Sequence, residues 1–286
     1  MSFTQYWSKT SSLCRSKWAI LMALCGLGLL FLFAKSPFSC LERTAEPLKE
    51  ILAPTAIPEI SKNLSGLTLN PETGTLFAVT NRPERIYELS LNGKVLRSVN
   101  LRGFKDTEGI SHIAGTLFAL VEERKSVLCI FDITGDATAI EHKDALRLNL
   151  GKKGEKNKGF EGVSYDSVTR TLYTMREGKP FVRLAIPLDE HFRPGSVMSK
   201  PLPELCVKDV ASLVHDPDGS LWILSEASAQ IVQLDQDGSE LLRFDLPIDK
   251  KKIPARRHHP HPGRTDDRGR RTQYSGDLRP HRRQKV

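Results

Sequence analysis

Acidic residues recur at matching places along this chain, and they could act together only if folding gathers them. Four short phrases repeat: Leu64-Ser65-Gly66-Leu67, Thr107-Glu108-Gly109-Ile110, Phe160-Glu161-Gly162-Val163 and Val210-Ala211-Ser212-Leu213. They align Ser65, Glu108, Glu161 and Ala211 in one column. A second column lies five residues after the first Leu of a following apolar run and holds Asn81, Glu122, Glu177 and Glu226. Carboxylates drawn together repel one another unless a cation or a positive ligand group sits among them. Their hard oxygens suit Ca²⁺ or Mg²⁺ better than zinc. Glu108 and Glu161 are therefore candidate metal ligands, with Ca²⁺ as the candidate cofactor. Asn81, Glu122, Glu177 and Glu226 are candidate ligand-binding residues. An architectural role is equally open: the same glutamates can accept backbone N–H groups from an adjoining unit and hold it in register.

Other chemistries find less support. No G-x-S-x-G stands for a serine nucleophile and no zinc-type cysteine spacing occurs among Cys14, Cys25, Cys40, Cys129 and Cys206. Cys129 reads as a buried small hydrophobe, and a Cys129–Cys206 bridge has little support in the sequence. The stretch Gly151–Gly159 lacks the Gly-Lys-Ser/Thr ending of a phosphate loop and reads as a solvated connection. Asp235-Gln236-Asp237-Gly238 reads as a turn. His112, His142, His191 and His215 share no spacing and read as solvated or turn histidines. Asp106 and Asp209 read as turn acceptors.

The elements that must position these residues are short strands. After each phrase come a turn and an apolar run, Leu76–Val79, Leu117–Leu120, Leu172–Met175 and Leu221–Leu224. A third run follows at Ile86–Leu89, Val127–Ile130, Phe181–Leu184 and Ile231–Leu234. A period of roughly 45–50 residues holding three or four strands is that of propeller blades. In the first copy the strands read as Leu64–Leu69, Leu76–Thr80, Arg85–Leu91 and Val95–Leu101. The turn Asn70–Gly74 joins the first pair, and Asn92-Gly93 predicts a two-residue hairpin. The fold class is all-β: a propeller of five, or six, blades with the last incomplete, occupying residues 59–254. Radial symmetry would then bring Glu108 and Glu161 to one axis.

Trp18–Ala34 carries no charge across seventeen residues, long enough for a short transmembrane helix. Lys9, Arg15 and Lys17 precede it, so the positive-inside bias places residues 1–17 in the cytoplasm and the body outside. A cleaved signal peptide is the rival, but no clean small-residue site follows. Residues 35–58, with four prolines, form a tether. The expected location is the inner (plasma) membrane, single-pass, with the body in the periplasm.

The net charge of +8 belongs to the tail. Residues 255–286 hold ten Lys and Arg and three Asp, and without them the chain has 32 basic and 31 acidic residues. The body thus shows no nucleic-acid signal.

Residues Ile60 to Leu246 resemble the SdiA-regulated family of bacterial proteins. The resemblance rests on Leu64–Thr80, Asp106–Ile110, Phe118–Arg124 and Lys156–Gly162. It implies an NHL-type β-propeller, usually behind an N-terminal membrane segment, and assigns no chemistry. The departure is the tail. The family continues past the equivalent of Pro254 with another Glu-Gly-Ile phrase and strand, whereas residues 255–286 have the composition of a disordered basic segment. Codons for the tail can be chosen so that a neighbouring frame restores that phrase, so it reads as a frameshift product. Together these readings describe an exported propeller that binds a small ligand or a protein partner at its channel mouth. The alternative is a calcium-dependent hydrolase of the lactonase or phosphoesterase kind.

Overall fold

The computed structural model describes residues 56–60, 62–151 and 159–246. They build four antiparallel sheets. Blade 1 holds β1 (Leu64–Asn70), β2 (Thr75–Thr80), β3 (Arg85–Leu89) and β4 (Val95–Arg102). Blade 2 holds β5 (Thr107–Ala114), β6 (Leu117–Glu122), β7 (Val127–Asp132) and β9 (Leu146–Asn149). Blade 3 holds β10 (Phe160–Asp166), β11 (Thr171–Arg176), β12 (Val182–Pro187) and β13 (Met198–Pro201). Blade 4 holds β14 (Ser212–His215), β15 (Leu221–Ser225), β16 (Gln230–Leu234) and β17 (Glu240–Asp245). The remaining strand, β8 (Ala139–Glu141), leaves blade 2 between β7 and β9. It pairs in parallel with β4 at the outer edge of blade 1.

The expected propeller is present with four blades among the described residues rather than five or six. The stretch assigned to a fifth blade, the apolar segment Trp18–Ala34 and the basic tail all lie outside them. No helix among the described residues is long and apolar enough to cross a membrane.

The first strands β1, β5, β10 and β14 neighbour one another in that order and form the inner wall. Two contacts repeat along it. Gly66, Gly109 and Gly162 press on the backbone of the next inner strand. A Cβ on Gly66 would stand 2.5 Å from the Glu108 carbonyl oxygen, and one on Gly162 would stand 2.7 Å from the Leu213 nitrogen. Two positions further on, a hydroxyl accepts the next strand's N–H: His112 to Thr68 Oγ1 (3.2 Å), Tyr165 to Ser111 Oγ (3.0 Å) and His215 to Ser164 Oγ (2.9 Å).

Strand alternation turns apolar side chains to both faces of each sheet, so the core lies between blades. Phe77, Val79 and Ile86 of blade 1 meet Ile110, Phe118 and Leu120 of blade 2. Val121, Leu128 and Ile130 meet Phe160, Val163 and Leu172 across the next junction. Met175 and Phe181 meet Leu213, Leu221 and Ile223 at the third. Cys129 is a free buried thiol, so no bridge joins it to Cys206.

The hairpin at Asn92-Gly93 is longer than the two-residue turn expected. Ser90 N–H bonds to the Lys94 carbonyl, Gly93 N–H bonds to the Ser90 carbonyl, and Gly93 has φ of +85°. This is a turn followed by a left-handed glycine in a bulge, which also fits the twist of the flanking strands. Gly219 and Gly238 repeat it in blade 4.

Replacing Gly109 by Ala should force a Cβ into the Glu161 carbonyl of the next blade. The expected loss is about 1–3 kcal/mol of stability. Gly135→Ala, where nothing lies within 4 Å, should leave the melting temperature almost unchanged. Paired thermal melts check this; equal effects at the two sites would contradict the close-packed inner wall.

Candidate acidic site at the inner wall

The acidic column reaches the inner wall through a backbone irregularity. Each of the first three inner strands carries one extra residue at its start, between Leu64 and Gly66, Thr107 and Ile110, and Phe160 and Val163. A bulge of this kind re-aims a side chain that regular alternation would send elsewhere. Glu108 and Glu161 sit in these bulges and are 4% and 2% exposed.

Around them gather the residues that follow the second strands. One carboxylate oxygen each from Asp106, Glu108 and Glu123 lie within 4.8 Å of one another, and the same holds for Glu123, Glu161 and Glu177. Glu123 belongs to both groups. Asn81 completes the rim, donating from Nδ2 to Asp106 Oδ1 (2.9 Å) and Glu108 Oε1 (3.0 Å). Two guanidiniums flank Asp106 from the solvent side: Arg82 Nη2 lies 3.5 Å from Oδ1, and Arg124 Nε lies 2.8 Å from Oδ2. Glu123 accepts the Gly159 N–H at 3.1 Å. Burial pushes its carboxyl up to about 7, and the charges of Glu108, Asp106 and Glu177 add to the rise against the lowering by the Gly159 bond.

Of the residues singled out from the sequence, Asn81, Glu108, Glu161 and Glu177 come together. Glu226 is exposed on blade 4 and belongs to neither group. Glu122 is placed elsewhere. Fully buried, it accepts the Lys105 N–H (2.6 Å) and Lys125 Nζ (2.9 Å) at Oε1, and Oε2 lies 2.8 Å from His142 Nε2. Its neighbour Glu123 holds the position equivalent to Asn81 and Glu177. Asn81, Glu123 and Glu177 each donate their backbone N–H to the residue just before the inner strand: Asn63 (3.0 Å), Asp106 (3.0 Å) and Gly159 (2.9 Å).

The slip has a simple cause. Leu67 pairs with Ala78, but Ile110 pairs with Leu120, because β5 carries a second irregularity at Ile113 and β6 has one more apolar residue than β2. Lining up the starts of the two apolar runs therefore misplaces blade 2 by one residue, and one residue reverses the face. Counting back from the end of the run would have found Glu123.

Asp106 is likewise part of the acidic group and more than the turn acceptor expected. Asp209 does act as a turn acceptor, taking bonds from Ser225 Oγ (2.5 Å) and the Ala227 N–H. His112 and His215 occupy equivalent buried positions on inner strands, and His142 is part-buried against Glu122, so three of the four histidines are not solvated.

The donors in the two groups are hard carboxylate oxygens from blades 2 and 3 and their connecting loops. Oxygens bound to one Ca²⁺ at about 2.3–2.6 Å lie up to about 5 Å apart, so the spacing within each group fits such an ion. With no cation bound, Glu123 destabilises the fold as it ionises. Its folded-state affinity for protons exceeds the unfolded one, so stability is highest below about pH 4.5 and falls as pH rises towards about 7. In chelator-treated protein, Glu123→Gln should gain melting temperature over the native chain by an amount that grows between pH 5 and pH 7.5. A difference independent of pH would show that Glu123 ionises normally.

Several solved structures are similar to this chain at low identity. A virginiamycin B lyase from Staphylococcus aureus is 14% identical, with a TM-score of 0.44, over 67% of this chain and 58% of the lyase. A periplasmic gluconolactonase from Pseudomonas aeruginosa is 13% identical, with a TM-score of 0.45, over 64% of this chain and 54% of the enzyme. A putative 6-phosphogluconolactonase from Bacteroides uniformis is 13% identical, with a TM-score of 0.45, over 68% and 59%. The chain thus spans under two thirds of each of these structures. At the level of sequence, the SdiA-regulated family matches residues 46–256, covering both acidic groups and all four blades. The chain belongs to the SdiA-regulated family.

Proposed function

We propose that this chain is a membrane-anchored, exported propeller that binds a ligand or a protein partner at the acidic rim of its inner wall, through a divalent cation. The supporting observation is the convergence of five carboxylates from two blades and their connecting loops into two groups that share Glu123. Folding places buried negative charges together only at considerable cost unless something positive accompanies them. Ca²⁺ fits best, because the donors are carboxylates and an amide neighbours them, with no thiol or imidazole in either group. The apolar segment Trp18–Ala34 would serve as the anchor in the inner membrane, with the body in the periplasm and no part in nucleic-acid binding.

A second reading, a calcium-dependent hydrolase, is favoured by one feature. Burial raises the Glu123 carboxyl to about 7 in the absence of a cation, and a carboxyl held near neutrality is suited to general-base work where it is not itself bound to the ion.

Thermal melts of the full chain with EDTA, Mg²⁺ or Ca²⁺ test the main reading. Ca²⁺ should raise the melting temperature of the native chain, and Glu108→Gln and Glu161→Gln should each reduce that shift at least by half. A melting temperature blind to both ions would remove the cation and most of the enzyme reading with it.

A further inference from the structure

A second cluster of metal-binding side chains lies beside the β8 crossover, and its chemistry is unlike that of the acidic rim. Glu122 ends β6, Cys129 lies within β7, and His142 opens the short helical turn His142–Asp144 that follows β8. A carboxylate oxygen, the thiol sulfur and a ring nitrogen lie within 4.8 Å of one another. Glu122 Oε2 is the hub: His142 Nε2 is 2.8 Å from it and Cys129 Sγ is 3.8 Å from it. Glu122 and Cys129 are fully buried, whereas the His142 side chain is 18% exposed and reaches solvent.

Blade construction does not require this set. The residues before Asn81, Glu177 and Glu226 are Thr80, Arg176 and Ser225, so the buried carboxylate before Glu123 is peculiar to blade 2. Cys129 itself belongs to an apolar cluster with Phe104, Phe131 and Ile133, where a charged neighbour is costly.

Oxygen, nitrogen and sulfur around one point are donors that zinc accepts and calcium does not. Tetrahedral donors at about 2.0–2.3 Å from zinc stand roughly 3.3–3.7 Å apart. The two separations from Oε2 bracket that span. The carboxylate is already oriented for binding through one oxygen. Its Oε1 accepts the Lys105 N–H (2.6 Å) and Lys125 Nζ (2.9 Å), which leaves Oε2 facing the sulfur and the ring. Outer bonds of this kind fix the ligands of metal sites. Two cations stand close by, Lys125 at Oε1 and Arg147, whose Nη1 lies 3.4 Å from His142 Nδ1. Lys125 is 36% exposed and Arg147 is exposed, so both can swing into water as an ion enters.

We propose that Glu122, Cys129 and His142 bind one Zn²⁺, with water in the fourth position, and that the ion fastens the β8 crossover to blade 2. Without the ion, burial and then the Glu122 charge push the Cys129 thiol up to about 12, so it stays protonated. Binding releases that proton to solvent and moves the imidazole proton from Nε2 to Nδ1.

Cobalt tests this, because it reports thiolate ligation directly. The full chain in mild detergent is stripped of metal with EDTA, freed of the chelator, kept under argon and titrated with Co²⁺ in excess Ca²⁺, which competes for the acidic rim. The native chain should develop a near-ultraviolet thiolate-to-cobalt charge-transfer band and the visible bands of tetrahedral Co²⁺. Both should saturate at one equivalent and be bleached by Zn²⁺. Cys129→Ser should lose the charge-transfer band, and His142→Ala should bind Co²⁺ at least about tenfold more weakly. Zn²⁺ should raise the melting temperature of the native chain and not that of His142→Ala. A native chain without the charge-transfer band overturns the proposal. So does a band that survives Cys129→Ser, which would belong to another thiol, or undiminished binding by His142→Ala. Circular dichroism verifies folding; if Cys129→Ser does not fold, the native titration and the part-exposed His142→Ala decide.

Discussion

The closeness of the inner strands governs this molecule. Gly66, Gly109 and Gly162 leave no volume between one blade's inner strand and the next, so the backbone of each copy is the surface on which its neighbour rests. The hydroxyls of Thr68, Ser111 and Ser164 then fix the height at which the strands meet. Hydrophobic contacts farther out stabilise the same arrangement, but such contacts are tolerant of small slides. The glycine and hydroxyl contacts are not, and they set the distance between blades.

That distance also concentrates the charge. The residue before each glycine lies in a bulge, and in two copies it is a glutamate. Bringing the strands close brings Glu108 and Glu161 close, along with the side chains at the ends of the neighbouring second strands. Burial raises the Glu123 carboxyl to about 7, and this crowding of Glu108, Asp106 and Glu177 adds to the rise. Asn81 occupies the blade 1 equivalent of Glu123. It adds an amide that can donate to Asp106 and Glu108 in place of another negative charge. Packing and site chemistry therefore share one short phrase, and neither can be altered without disturbing the other.

Much of this was readable from the chain. The phrase, its spacing and the turns around Gly74, Gly219 and Gly238 expose the blades, because period and turn chemistry are local properties. Glu108 and Glu161 follow from the phrase itself. Glu123 was hidden by a one-residue irregularity in β5 that no residue type announces; apolar runs tell where a strand is but not its register. Asp106 is not distinguishable in the sequence because the residue before the repeated phrase is a turn acceptor in blade 4, as Asp209, and a member of the acidic group in blade 2, a distinction only tertiary proximity makes. The burial of His112 and His215 was equally invisible, since the residues that cover them belong to other blades. Membrane attachment and the fate of the tail concern residues outside those described.

The passage of β8 from blade 2 to the edge of blade 1 bears on how such a protein can change over generations. His142, just past that strand, lies against the buried carboxylate of Glu122 in blade 2, so one connection fastens two sheets. Repeats that stand apart can be copied, lost or traded singly. Here the first two cannot: excising the second would strip the first of an edge strand, and duplicating the first alone would create an edge with no strand to cover it. The natural module for gene shuffling is the pair.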